Sequence, residues 1–169
     1  MNIRRLRREE GLKYREIRLR ALRDSPDAFG TTFAEAEAKP PQWFIDRARE
    51  MDEQPDRWGV LVACDDADVF HGMLYAAVGS DSRSMEVFGM WTDPALRRQG
   101  IAASLIDAVV SWAKRLGLSR IELWVTEGND AAIGFYHRVH FRDTGKTDLL
   151  RPNSTTRIHK MVRDLASEA

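Results

Sequence analysis

The stretch Trp91-Thr92-Asp93-Pro94-Ala95-Leu96-Arg97-Arg98-Gln99-Gly100-Ile101-Ala102 decides how this chain is read. An alternating apolar strand ends, Asp93-Pro94 turns the backbone, and a glycine opens the strongest helical pattern in the sequence. The first four N–H groups of a helix lack internal partners, and with the helix dipole they form an anion site. Gly100 has no side chain where a phosphate would approach, Ala102 keeps the next position small, and Arg97 and Arg98 add charge. The segment is neither the G-x-x-x-x-G-K-[ST] loop of nucleotide hydrolases nor a G-x-G-x-x-G dinucleotide loop. By itself it reads equally as an anion site or as a structural glycine at a tight turn.

Downstream, a helix is predicted from Gln99 to Leu116, with Ile101, Leu105, Val109, Trp112, Ala113 and Leu116 at helical spacing and Gly117 as its stop. A strand over 120–126 alternates Ile121, Leu123 and Val125, a shorter helix covers 129–139, and strands follow over 141–147 and 155–162. Upstream, the strand over 84–92 places Met85, Val87, Gly89 and Trp91 on one face and Glu86, Phe88 and Met90 on the other. A glycine inside a strand marks a bulge or a close approach by other atoms. Segments 57–64 and 69–78, joined by Asp65-Asp66-Ala67-Asp68, read as a hairpin. Before them come a short strand over 3–6 and a helix over 9–23 with Tyr14, Ile17, Ala21 and Leu22 on one face. A helical region over 32–53 follows, broken at Pro40-Pro41. This order predicts one α/β (α+β) domain over 1–169, a mixed sheet with helices on its faces.

A second constellation follows the 120–126 strand. Asn129 precedes Ala132 at +3, Tyr136 at +7 and Phe141 at +12. Ala132 and Tyr136 share a helical face and can address one ligand, while Asn129 is equally a helix N-cap. Arg97-x-x-Gly100-x-Ala102, after a strand ending Gly89-Met90-Trp91, together with this second set resembles the GNAT superfamily of N-acetyltransferases. The family's second motif reads N-x-x-A-x-x-x-Y-x-x-x-G-F. His140 stands where the glycine is usual; the position ends a helix and needs φ > 0, which His tolerates better than most residues. The resemblance covers 84–142 in detail. The run Asp27-Ala28-Phe29-Gly30-Thr31-Thr32-Phe33 is similar to one that small bacterial members carry, which puts the helices of 9–53 on the acceptor side.

The resemblance implies a mostly antiparallel twisted sheet of six to seven strands and acetyl-CoA as cosubstrate, with no metal. It assigns the pyrophosphate to the main chain of Gln99, Gly100, Ile101, Ala102, Ala103 and Ser104, beside Arg97 and Arg98. Met90, Trp91 and Thr92 complete the strand side of the cofactor site, with an N–H near Met90 facing the thioester carbonyl. Asn129, Ala132 and Tyr136 complete the helix side, the small Ala132 leaving room for the pantetheine arm. Tyr136 is the candidate general acid, or else simply a cleft-lining tyrosine. Glu86 is the candidate base, or else a solvated strand carboxylate. Glu35 and Glu37 read as surface. The implied activity is direct attack of a primary amine, from a small molecule or a peptide, in a ternary complex. A non-catalytic acyl-CoA-binding domain on the same fold is the alternative. Many members of the family pair into homodimers, so the resemblance leaves a homodimer open.

Composition sets the remaining bounds. Across 169 residues, Lys+Arg and Asp+Glu both total 26, which argues against a surface built to grip polyphosphate. Nine basic and three acidic residues over 1–23 face the reverse count over 24–56. Arg4, Arg5, Arg7 and Arg8 have no interleaved aromatics, so a solvated helix face near an acidic neighbour is preferred to a nucleic-acid arm. The single cysteine, Cys64, sits in an apolar run and reads as packing. His137 and His140 lack a third ligand for a metal. With no signal-like segment or membrane-length apolar run, a cytoplasmic protein without a membrane or nucleic-acid partner is expected.

Overall fold

A computed structural model describes residues 1–165. In chain order the elements are β1 (Asn2–Arg5), α1 (Gly11–Asp24), α2 (Phe33–Glu37), α3 (Pro41–Glu53), β2 (Trp58–Cys64), β3 (Phe70–Val78) and β4 (Ser84–Thr92). Then come α4 (Ile101–Arg115), β5 (Arg120–Thr126), α5 (Asp130–Arg138), β6 (Arg142–Leu149) and β7 (Arg157–Asp164). One seven-stranded sheet has the order β1-β2-β3-β4-β5-β7-β6, and β4–β5 is its parallel pair. The expected mostly antiparallel α/β sheet is what the chain builds.

Two apolar layers hold the sheet. Val60, Val62 and Met73 face α1 and α3, where Ile17, Leu22, Phe44 and Met51 are buried. Leu61, Leu74, Met85, Val87, Ile121 and Leu123 face α4, meeting Leu105, Ile106 and Val109. The uninterrupted apolar run of β2 follows from this, because a strand covered on both faces has no solvent side. Cys64 is buried within the first layer, as packing.

The strict alternation expected along β4 fails at Gly89. Tyr75 pairs with Phe88 but Met73 pairs with Trp91, so β4 spends one more residue than β3 across that interval. Gly89 takes φ 55°, the left-handed region open to glycine. This bulge reverses the phase of every later residue. Met85 and Val87 face α4 while Trp91 crosses to the layer of α1, and Met90 packs toward α4 instead of sharing a face with Phe88.

The basic N-terminal segment is largely paired within the protein. Arg4 meets Glu10 at 2.7 Å, Lys13 meets Asp68 at 2.7 Å, and Arg20 meets Asp93 at 2.6 Å. Among the described residues the acidic partners come mainly from Glu10, the β2–β3 turn and the β4–α4 loop, and from the 24–56 stretch through the pair of Arg8 with Asp52.

Candidate active site

The parallel pairing of β4 with β5 runs only from Ser84–Arg120 to Val87–Leu123. Beyond it the strands part, and β4 continues to Thr92 with the main-chain groups that face β5 lacking a sheet partner. The gap is a cleft of about 980 Å³. Val87, Phe88, Gly89 and Met90 form one wall and Leu123, Trp124, Val125 and Thr126 the other. Ala132, Phe135, Tyr136 and Val139 of α5 line its side, and Arg97, Arg98 and Gly100 to Ala103 close one end.

That end is the start of α4. Arg98 and Gly100 both have positive φ, 65° and 85°. No side chain caps the helix, and its first turn holds no acidic residue. The first bond is Ser104 N–H to the Gly100 carbonyl at 3.0 Å, so among the described residues the N–H groups of Ile101, Ala102 and Ala103 find no acceptor. A Cβ at Gly100 would meet nothing within 4 Å, which leaves open space over these donors. A diphosphate fits such an end: donors aligned, space free, dipole favourable.

Arg97 is already committed. Its Nε donates to the Thr92 carbonyl at 3.2 Å, and its Nη2 pairs with Asp24 at the end of α1. Asp24 also accepts from the Trp91 indole at 2.9 Å. Desolvation opposes this carboxylate, but hydrogen bonds from Ser25, Trp91 and Arg97 outweigh it and hold its pKa below the usual range. Arg97 thus positions the loop, while Arg98 is exposed at the cleft.

Asn129 caps α5: its side-chain oxygen accepts from Ala132 N–H at 3.2 Å. At the other end of α5, His140 takes φ 67°, the left-handed conformation expected for its position. Phe141 N–H donates to the Tyr136 carbonyl at 2.9 Å and His140 N–H to the His137 carbonyl at 3.1 Å. This is a Schellman motif, and its customary apolar contact is the edge-on pair of Tyr136 and Phe141 at 5.6 Å. The helix stop therefore fixes the ring of Tyr136 against the cleft. Among the described residues its hydroxyl has no hydrogen-bond partner, and burial raises its pKa well above the ordinary tyrosine value. Burial favours the protonated phenol, whose hydroxyl is a hydrogen-bond donor. The simple pKa match to a thiolate that an ordinary phenol would offer does not hold in this closed environment.

Met90, Trp91, Thr92, Arg97, Arg98, Gly100, Ile101, Ala102, Ala103, Asn129, Ala132 and Tyr136 all line the cleft. Gln99, Ser104 and Glu86 do not. Glu86 lies on the face of β4 turned away from α4, paired in register with Ala77 and Glu122. Sequence reasoning missed Trp124, Phe135 and Asp24. Trp124 carried a usable signal, being out of phase with Ile121, Leu123 and Val125 and so turned to the opposite face. Among the described residues no cluster of three metal-ligating side chains forms, and no helix is long and apolar enough to cross a membrane.

Comparison with known proteins bears on this geometry. Among curated proteins, mycothiol acetyltransferase of Salinispora arenicola is 29% identical over 129 residues, 74% of this chain and 39% of that protein. The one from Propionibacterium freudenreichii is 31% identical over 97 residues, 56% of this chain and 31% of that protein. The chain thus spans about a third of the length of these relatives. Among solved structures, an N-acetyltransferase from Staphylococcus aureus Mu50 superposes with a TM-score of 0.79 at 16% identity, covering 97% of this chain and 98% of that one. The yncA acetyltransferase of Salmonella typhimurium, solved with acetyl-CoA, gives 0.77 at 17% identity, covering 98% and 94%. These two likenesses establish the fold. The model of the Acetyltransferase (GNAT) family matches residues 20–141, most of the chain and both walls of the cleft, and the chain belongs to that family.

Proposed function

We propose that this chain transfers an acetyl group from acetyl-CoA to a primary amine within a ternary complex. The observation that carries the reading is the bare N-terminus of α4 opening into a cleft that passes between β4 and β5. The main chain of Gln99 to Ser104 would hold the diphosphate, with Arg98 adding charge, and the parted strands would hold the pantetheine arm beside Ala132. When bound, acetyl-CoA supplies an activated acetyl thioester. The protein's part is mostly placement, since fixing both reactants in one cleft makes the attack effectively unimolecular. Main-chain N–H groups near Met90 stand where β4 has lost its β5 partner and can face a carbonyl oxygen. Tyr136 donates a hydrogen bond toward the departing sulfur. Glu86, on the acceptor face of β4, receives the amine proton through water.

The whole chain over 1–169 acts as one such domain, in the cytoplasm, on a small-molecule or peptide amine, and as a homodimer. Titration calorimetry with coenzyme A and acetyl-CoA tests the cofactor, and thiol release over a panel of amines tests the transfer. Heat with both ligands and thiol release with an amine support the reading. Binding without turnover on any amine assigns the chain to non-catalytic acyl-CoA binding. The burial of Tyr136 and the absence of Glu86 from the residues lining the cleft favour that second reading.

A further inference from the structure

The basic residues of the N-terminal segment divide by what they meet. Arg4, Arg7, Arg8, Lys13 and Arg20 each reach a carboxylate. Among the described residues Arg5, Arg15, Arg18 and Arg23 reach none, and Arg18, half-buried, makes no hydrogen bond either. Burial lowers its pKa. Among the described residues no anion offsets this partial burial, and guanidinium groups so placed are ordinarily paired.

Its position gives the missing anion a meaning. Nη1 of Arg18 lies 2.8 Å from where a Gly89 Cβ would stand, and its guanidinium carbon lies 4.8 Å from the Phe29 ring centre. Gly89 is the bulge residue that lines the cleft. The guanidinium therefore stacks on Phe29 and abuts the cleft wall from the side of α1. That face of the sheet also carries Glu86, a carboxylate with no hydrogen-bond partner among the described residues, and the exposed ring of Phe88. Arg18 thus approaches, at Gly89, the strand that carries Glu86 and the exposed Phe88 ring.

We propose that Arg18 binds the carboxylate of the acceptor, which makes the acceptor a free α-amino acid with its amine beside Gly89. The inference rests on the acetyl-transfer reading and narrows its substrate class. Planar guanidinium–carboxylate pairing is strong and oriented, and the short spacing between an α-amine and its carboxylate suits a cation that touches the same residue as the cleft. A peptide or protein lysine, whose reacting amine is remote from any carboxylate, gains nothing from Arg18.

The test compares the twenty free L-amino acids with their α-amides and decarboxylated amines, on wild type and on Arg18→Gln and Arg18→Lys. For the preferred side chain, wild-type kcat/KM for the acid should exceed that for the amide by about 30-fold, the scale of a charged hydrogen bond. Arg18→Gln should erase that preference through KM for the acid. It should leave the amide, the acetyl-CoA affinity and the melting temperature unchanged, and Arg18→Lys should keep part of the preference. A second readout needs no turnover: calorimetry of N-acetyl amino acids and their amides into the coenzyme A complex should show the same preference and its loss. Equal use or binding of acid and amide by the wild type, or a preference that survives Arg18→Gln, overturns the assignment while leaving acetyl transfer intact. Absence of coenzyme A binding overturns the acetyl-transfer reading and this inference with it.

Discussion

Two helices begin on the same cleft, and they begin differently. α5 is capped by its own sequence: the Asn129 side chain accepts from Ala132 N–H, and Asp130 places a favourable negative charge in its first turn. α2 goes further, with Thr32 and Glu35 forming a reciprocal capping box. α4 has the strongest apolar pattern in the chain, yet it starts at a left-handed glycine with no cap and no acidic residue, after two arginines. A side-chain cap is worth about 1 kcal/mol, and α4 forgoes it. On the proposed function, the difference separates an end that serves folding from an end that serves a ligand.

The sharpest way to break that comparison is Gly100→Glu. The new carboxylate stands over the free donors and repels a diphosphate, so coenzyme A affinity should fall on the order of 100-fold, a loss of one or two charged hydrogen bonds at about 1.5–3 kcal/mol each. Stability should fall by only about 1–2 kcal/mol, the strain of a side chain at positive φ, since no atom lies within 4 Å of the new Cβ. Calorimetry and a thermal melt read the two effects separately. Retained binding would place the anion site elsewhere.

Tyr136→Phe comes next and should lower kcat about tenfold or more with coenzyme A affinity unchanged. Because burial holds the phenol's pKa well up, the ratio of wild-type to variant rates should stay constant from about pH 6 to 9, below an ordinary phenol's pKa. A ratio that collapses as pH rises would mean that Tyr136 ionises in this range, contrary to its burial.

Asn129→Ala should do the reverse of Gly100→Glu. It should cost about 1 kcal/mol of stability, read by denaturant midpoint, and shift coenzyme A affinity less than about threefold, under 0.7 kcal/mol. A large affinity loss would make Asn129 a ligand-binding residue as well as a cap.

The contrast between the two ends was half legible from sequence. Gly100 after a strand and turn, and Asn129 before Ala132, are local patterns, and local patterns decide helix starts. The left-handed His140 was legible for the same reason. Other features were not, because they depend on partners far along the chain. The bulge at Gly89 moves Trp91 to the opposite face, which no period-2 count can register without knowing the pairing with Met73. Arg97 looked like a phosphate ligand until Asp24, from the end of α1, was found holding it. Nothing in the basic pattern of residues 1–23 marks Arg18 out, and its approach to Gly89 depends on the pairing of distant elements.

The smallest expected effect sits at the far end of α5. His140 holds φ 67° in a Schellman motif, a conformation that glycine adopts freely and a side chain resists. His140→Gly removes that strain, of about 1–2 kcal/mol, and adds backbone freedom to the unfolded chain, of about 0.4–1 kcal/mol. The net should be a gain of about 0.5 kcal/mol in the denaturant midpoint. The motif's two hydrogen bonds come from main-chain groups and survive the change, so the contact of Tyr136 with Phe141 survives too. Activity should therefore stay level while stability rises. A fall in kcat at unchanged stability would show that the His140 side chain takes part in holding Tyr136, and that α5 is organised around the ligand as much as α4 is.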